Sequence, residues 1–275
     1  MIIAARWSVL ALMAPLLCPA AALAQDAPAA PDASEAGSLA QAIQNPIADL
    51  ISVPIQNAWD FGIGPADATR FASTAQPIYP IHLSKDWNLV TRAIVPFIHQ
   101  ESPVAGGDDV SGLGDSTAAL FLSPVQPVKG WIVGGGAIFQ LPTATDSELG
   151  AGKWGAGPTF VALKQVGPWS GGILLNHIWS FAGKDDRSAV INSLVNPFAA
   201  YTTADQWTFA IQSEATLDWK TDQWTVPIEV QVAKLVMFGE QPVQFTVTAR
   251  KFVERPTGGP DWGLGFNVTL LFPSK

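Results

Sequence analysis

The sequence predicts an all-β protein, a transmembrane antiparallel up-and-down β-barrel of about 12 strands with a short N-terminal helix. Three observations carry that expectation. The chain is apolar overall, with a mean hydropathy of +0.23 and only 14% charged residues, yet it holds no uninterrupted apolar run of about 18 residues to make a spanning helix. Its apolar side chains recur instead at every second position, as in Asp261 to Pro273, where Trp262, Leu264, Phe266, Val268, Leu270 and Phe272 alternate with Gly263, Gly265, Asn267 and Thr269. Lastly, tryptophans gather near the ends of these alternating stretches, where a bilayer meets water.

Residues 1–24 have the form of a secretory signal: Arg6, an apolar run from Trp7 to Leu17, and Ala22-Leu23-Ala24 as a small-x-small cleavage site. The mature chain is then expected to begin at Gln25. Cys18 is the only cysteine and falls inside the signal, and Leu17 before it is too bulky for a lipoprotein cleavage site, so neither a disulfide nor a lipid anchor is expected. The 15 basic and 23 acidic residues give a net charge of −8, and the signal removes one base, Arg6. That balance argues against nucleic acid as a partner.

Residues 25–38 are Ala, Pro, Asp and Ser in the main, too polar and small to bury a core, and read as a flexible linker. Over residues 39–53, Leu39, Ile43, Ile47, Leu50 and Ile51 recur at three- and four-residue spacing, interrupted by Pro46. This predicts a short amphipathic helix, either packed across the periplasmic mouth of the barrel or inserted in the lumen as a plug.

Residues 54–275 make the barrel, with strands near 55–64, 71–82, 87–98, 114–123, 130–141, 153–165, 169–181, 190–203, 206–219, 223–237, 242–253 and 261–272. Most reach the 9 to 11 residues, roughly, of a tilted membrane strand. Long polar connections (PADATR, HQESPVAGGDDVS, PTATDSELGA, AGKDDRSA, ERPTGGP) alternate with tight ones (SKD, VGP, AD, GEQ), whereas SPVQPVKG is long for a turn and KTD short for an outer loop. Long loops outside and short turns inside place both termini in the periplasm, with the closing strand paired to the first. Pro77, Pro80, Pro96, Pro158, Pro197 and Pro227 fall within proposed strands, where each deletes a ladder donor and calls for a bulge.

Trp87, Trp131, Trp154, Trp169, Trp179, Trp207, Trp219, Trp224 and Trp262 sit near strand ends and form the expected membrane-interface girdle. Trp169 and Trp179 bracket one strand on one face, a tilted span of roughly 25 Å, the height of an outer-membrane apolar band. Parity then points Arg92, Asn176, Gln212, Glu214, Asp218, Glu229, Gln231, Arg250 and Asn267 into the lumen. A mid-bilayer charge on the lipid face would cost about 2–4 kcal/mol. Lys164, Lys234 and Lys251 do face outward, but near strand ends, from which they can snorkel.

The stretches DWNLVTRAIVPF (86–97), SGLGDSTAALFLSP (111–124), KWGAGPTFVALKQ (153–165), NHIWSFAG (176–183), LDWKTDQWTVPIEV (217–230) and GGPDWGLGFNVTLLFP (258–273) together resemble a family of Gram-negative outer-membrane proteins grouped with transporters of the meta-pathway of phenol degradation. The resemblance runs from about Asn45 to the C-terminus. It implies a channel or transporter for small molecules in the outer membrane and brings no catalytic residues with it. Outer-membrane lipid, a small-molecule cargo and, during biogenesis, the outer-membrane assembly machinery are the partners that follow. That machinery reads a terminal aromatic, and here Phe272 is followed by Pro273, Ser274 and Lys275.

No motif for a metal, nucleotide or other cofactor is present, and none is expected. Gly112-Leu113-Gly114 and Gly134 to Gly136 lie in or beside strands with no helix behind them to hold a phosphate, and read as barrel packing or bends. Asp108, Asp109, Asp115 and Glu101 could gather a divalent cation, or simply be a solvated acidic loop. His82 and His99, beside turns, show no partner. His177 faces outward and, if the 182–189 loop closes an ordinary hairpin, lies beside Ser193, a layout resembling that of the outer-membrane phospholipase. An outward polar group to orient the imidazole is missing, since Asn176, Asn192 and Asn196 point inward. The favoured function is a channel or transporter with a polar, partly charged lumen and no enzyme activity. A lipid-ester hydrolase using Ser193 and His177, and a structural barrel with a filled lumen, are the alternatives.

Overall fold

The structure is a computed structural model that describes residues 33–272. The signal, residues 25–32 of the linker and residues 273–275 lie outside the described residues.

One sheet of 15 strands closes on itself. The strands are β1 (Ile51–Ile63), β2 (Ala68–Ala75), β3 (Ile78–His82), β4 (Trp87–Gln100), β5 (Val110–Leu113), β6 (Ser116–Pro124), β7 (Ile132–Leu141), β8 (Lys153–Val166), β9 (Trp169–Gly183), β10 (Ile191–Thr202), β11 (Trp207–Gln212), β12 (Ala215–Asp218), β13 (Gln223–Phe238), β14 (Gln241–Glu254) and β15 (Trp262–Phe272), preceded by α1 (Ala33–Ala42). β2 with β3, β5 with β6, and β11 with β12 each form one interrupted stave, so the barrel is a 12-stranded antiparallel meander. Closure comes from β1 and β15, paired from Ile51 opposite Phe272 to Phe61 opposite Trp262. The strand expected to close the barrel therefore does so against its expected neighbour.

The prolines explain the interruptions. The β2–β3 break at Gln76 and Pro77 lies opposite Pro54, whose carbonyl accepts the Gln76 N–H, while the Pro77 carbonyl accepts the N–H of Ala93. In neither case can the proline return a bond. The β11–β12 break at Ser213 and Glu214 sits between Pro197 on β10, whose carbonyl takes the Ser213 N–H, and β13, where the unbroken register puts Pro227, with no N–H to give, opposite Glu214. Between β5 and β6 the register against β4 slips by one residue beside Pro96 (Phe97 opposite Leu113, then Ile94 opposite Thr117), which is the bulge that a lost ladder donor calls for.

The tightest connections gather at one end of the barrel, the turn end, and the longest at the other, the loop end, although the connection over 125–131 is long for the turn end and those over 64–67 and 219–222 are short for the loop end. Gly167 and Gly239 take positive φ (54° and 61°) at the first central position of two-residue turns, where side-chain-bearing residues are strained. α1 lies at the turn end, with Gly37 against the Ala204 carbonyl in the β10–β11 turn. It begins six residues before the expected helix, inside the stretch assigned to the linker, and ends at Ala42. Residues 43–50 run as turns, because Asn45 and Pro46 form a tight turn in which the Asn45 side chain accepts the Ile47 N–H at 3.0 Å. β1 then begins at Ile51, three residues before the expected start of the barrel.

Alternation puts one side-chain set outside. Trp169, Phe181, Phe209, Val230, Val247, Leu264 and Phe266 are all exposed there, part of a continuous apolar belt around the sheet. A belt of that extent is not stable against water and is the surface a bilayer covers, so the barrel is a membrane-spanning one.

Candidate functional site

The lumen wall has two unlike arcs. Along β11 to β15 and on to β1 and β2 the inward positions are polar. Gln212 donates to Glu229 at 3.0 Å, and Gln231 to the same carboxylate at 3.5 Å. Arg250 lies 3.9 Å from Glu229 and 3.6 Å from Asp60, an arrangement held by charge rather than by direct hydrogen bonds. Gln56 and Gln76 bond to each other, and Gln76 accepts from Arg92. Glu214, beside the β11–β12 break, is exposed although it faces inward, and is within electrostatic range of Arg92, Arg250 and Glu229. Around the closed sheet, β4 and the β11–β12 stave lie six steps apart in either direction. Arg92 and Glu214 therefore face each other across the lumen. Asn267 stands opposite Gln56 on the closing strand, and Asp218, near the loop end, accepts the Lys220 N–H at 2.8 Å.

From β4 round to β9 the wall is apolar. Val90, Ala119, Phe121, Ile138, Val161, Leu163 and Leu174 form one buried cluster, and Ile47 from the N-terminal segment is part of it. Polar positions interrupt it: Asn88 and Arg92 on β4, Ser123 on β6, Ser170 on β9, and Asn176, which is bonded to the buried Thr159. Gly134 makes the seat for Ile47, since a Cβ there would lie 2.8 Å from the Ile47 Cδ1. A second cluster joins Ala40 and Leu50 to Leu235 and Leu271 on the inward faces of β13 and β15. Gln41 ties the segment down, donating to the Gly167 carbonyl at 2.7 Å while its own carbonyl accepts from Gln165. So α1 lies across the turn end, and the turn after it carries Ile47 against the inward apolar cluster.

At the loop end the β7–β8 loop folds inward. The Asp115 carboxylate accepts the backbone N–H of Ala144 (3.2 Å) and of Ala151 (2.7 Å), and Arg187 donates to the carbonyls of Ser147 and Gly150 at 2.7 and 2.6 Å. Beneath this loop is a cavity of about 390 Å3 whose lining includes Arg70, Thr74, Ile98, Asp115, Gln140 and Leu149. Three of the four acidic residues considered for a cation are spent on backbone amides: besides Asp115, Asp109 accepts from Ser102 and Glu101 from Thr69. Among the described residues no three His, Cys, Asp or Glu side chains are grouped to hold a metal.

On the outer face Trp87, Trp131, Trp154, Trp169, Trp179, Trp207, Trp219, Trp224 and Trp262 are all exposed. Lys164 stands over Trp131 and Lys234 over Trp207, with ammonium groups 5.9 and 5.2 Å from the rings. His177 and Ser193 are direct cross-strand partners, with Nδ1 and Oγ 2.8 Å apart. Ser193 Oγ also accepts the Trp219 indole N–H at 2.8 Å, and among the described residues no group holds His177 Nε2. The other two histidines do have partners: His82 Nε2 lies 2.9 Å from both carboxylate oxygens of Asp49, and His99 Nδ1 is 2.7 Å from Ser111 Oγ. The apolar arc, Arg70, Asp60, Gln56 and Gln76 were not expected in the lumen. The signal for the arc was there, in ALFL (119–122), FVAL (160–163) and GILL (172–175), runs apolar at both parities.

No protein-family model and no curated protein sequence matches the chain. Solved structures do. The COG4313 outer membrane channel from Pseudomonas putida F1 superposes with a TM-score of 0.64 at 16% identity, over 81% of this chain and 94% of that one. The NanC porin superposes at 0.52 and 11%, over 81% of this chain and 100% of its own. At these identities the likeness is one of fold: this chain has the architecture of an outer-membrane barrel.

Proposed function

We propose that the protein is a channel in the Gram-negative outer membrane for small molecules, with its loop end outside and its turn end in the periplasm. The observation that carries this reading is Glu214, a charged side chain that stays exposed while facing the interior of a closed barrel, because a lumen packed solid would bury it. The polar arc supplies a path along which ions and polar groups exchange partners, and the apolar arc a surface for the hydrophobic part of a cargo. The girdle tryptophans hold the barrel at the bilayer's two interfaces. Ile47 and α1 narrow the passage at the periplasmic side. The channel and porin with the same architecture support this reading.

Carboxylates Asp60, Glu214, Glu229 and Asp115 stand against the guanidinium groups of Arg70, Arg92 and Arg250, a small excess that gives inorganic ions a modest cation preference while leaving a guanidinium group at the loop end for an anionic cargo. In planar bilayers the folded protein should conduct with cation preference, and Glu214→Lys or Glu229→Lys should move that preference toward anions. Silent bilayers from correctly folded protein would sink the channel reading.

A second reading, lipid-ester hydrolysis, is favoured by the 2.8 Å contact between Ser193 and His177. It is the weaker one, because a base needs a third group to orient it and His177 Nε2 has none among the described residues. Esterase activity on phospholipid that disappears in Ser193→Ala would establish it; equal turnover in that variant would dispose of it.

A further inference from the structure

We propose that the loop-end cavity is a binding site for small organic carboxylates, with Arg70 taking the carboxylate. The assignment rests on the channel reading, since it places the site at the cargo's point of entry. Arg70 projects from β2 into a space of about 390 Å3, of the size that takes a small organic ligand. A guanidinium carries five N–H donors in a planar fork that matches a carboxylate's two oxygens. Among the described residues Arg70 is unlike Arg92, Arg187, Arg250 and Arg255, each of which has a side-chain or carbonyl partner.

Two acidic groups are near enough to be considered as internal partners, and neither occupies the fork of Arg70. Asp60 is the cross-strand neighbour of Arg70 and within electrostatic range of it, but the two make no hydrogen bond or close ion pair, and the Asp60 carboxylate lies 3.6 Å from Arg250. Asp115 also borders the cavity, and its oxygens already accept the N–H groups of Ala144 and Ala151. Those two amides offset the Asp115 charge and reduce its repulsion of an incoming anion. The fork of Arg70 is therefore the donor set left open to the cavity.

The remaining lining decides against a bare inorganic anion. Ala72, Pro96, Ile98 and Leu149 give the cavity an apolar wall beside Arg70, and Thr74 lies within the same lining. A ligand that satisfies both surfaces has one carboxylate and a short hydrocarbon body. Leu149 reaches this wall because Asp115 and Arg187 hold its loop inward, so the loop is part of the site rather than a cover over it.

The experiment is calorimetric titration of the folded full chain in detergent with hexanoate, hexanamide and acetate, each corrected by titration into empty micelles. Hexanoate is expected to bind once per barrel, and hexanamide and acetate at least tenfold more weakly, because each lacks one half of the match. Arg70→Gln should bring hexanoate down to the hexanamide level, and Leu149→Ser should bring it toward acetate. Should Arg70→Gln fail to show the heat-modifiable gel mobility of a folded barrel, Leu149→Ser and the wild-type comparison of hexanoate with hexanamide decide. Equal binding of hexanoate and hexanamide, or a preference that survives in folded Arg70→Gln, overturns the site. Conductance by wild-type protein in bilayers separates the two readings. Conduction without carboxylate preference removes this site and leaves the channel, whereas hexanoate binding by a barrel that does not conduct removes the channel and leaves the site.

Discussion

The apolar and polar arcs of the lumen wall are made from the same kind of strand, yet they are completed in different ways. Val90, Phe121, Val161 and Leu163 are all but fully buried and find their contacts in one another and in Ile47. Across the lumen, Asp60 Oδ1, Arg250 Nε, Gln244 Nε2 and Thr248 Oγ1 are shielded from solvent without a hydrogen-bond partner among the described residues. Apolar contacts are non-directional and can be satisfied by packing, so that arc closes on itself. Charged groups need partners at set distances, and a set of charges spread over several strands leaves some donors and acceptors open. The first arc is therefore where the barrel's interior gains stability, and the second is where a passing molecule finds something to bind.

The N-terminal segment joins the arcs, so removing it is the harshest test of the contrast. Deleting residues 33–50 takes away Ala40, Ile47 and Leu50, uncovers the apolar arc and empties the turn end. Single-channel conductance should rise several-fold and the urea midpoint of unfolding should fall. A deleted variant with wild-type conductance would show that this segment does not set the passage.

Single substitutions divide the arcs more finely. Phe121→Ala opens a cavity at a side chain that is 1% exposed and should cost about 3–5 kcal/mol in denaturant unfolding while leaving ion preference unchanged. Arg250→Met leaves Glu229, 5% exposed, without its ion pair and Asp60 with only Arg70 nearby. Its cost should be about 3 kcal/mol, and reversal potentials should move toward stronger cation preference. If Phe121→Ala moved the reversal potential as far as Arg250→Met, the division of roles between the arcs would fail.

The barrel was legible in the sequence because alternation, turn chemistry and tryptophan placement are local signals, each repeated many times. The inward direction of Glu229 and Arg250 came from the same parity. A strand such as FVAL (160–163), apolar on both faces, marks an apolar inner wall, but parity could not show that the inward halves of several such strands pack as one cluster. Nor could it place Ile47: periodicity over Leu39, Ile43, Ile47 and Leu50 reads as a helix, while Asn45 and Pro46 turn the chain and send Ile47 to a seat made by Gly134, far along the sequence. The helix starts early, in residues 33–38, because the barrel's turn end gives that stretch something to lie on, which outweighs the poor helix formers Ser34, Gly37 and Ser38. The prolines pointed to irregular pairing but not to which neighbour would accommodate it, because the register of two adjacent strands decides that.

The smallest expected effect lies in the closing strand. Gly263 and Gly265 occupy inward positions of β15, and the periodicity that marks them as the lumen face does not explain why they are glycine. The structure does: a Cβ on Gly263 would stand 2.5 Å from the Asp60 Oδ1, 2.7 Å from the Trp59 carbonyl oxygen and 3.0 Å from the Arg250 Cγ. Gly263 is thus the space in which Asp60 and Arg250 approach each other across three strands, β1, β15 and β14. Gly263→Ala should cost about 1–3 kcal/mol through overpacking, because backbone on one side cannot give way as a side chain can. It should also push Asp60 and Arg250 apart, so ion preference should move in the direction of Arg250→Met but less far. A Gly263→Ala barrel that loses stability while keeping the wild-type reversal potential would mean that the charges of the polar arc do not depend on the Asp60–Arg250 pair, and that its selectivity rests on Glu214 and Arg92 alone.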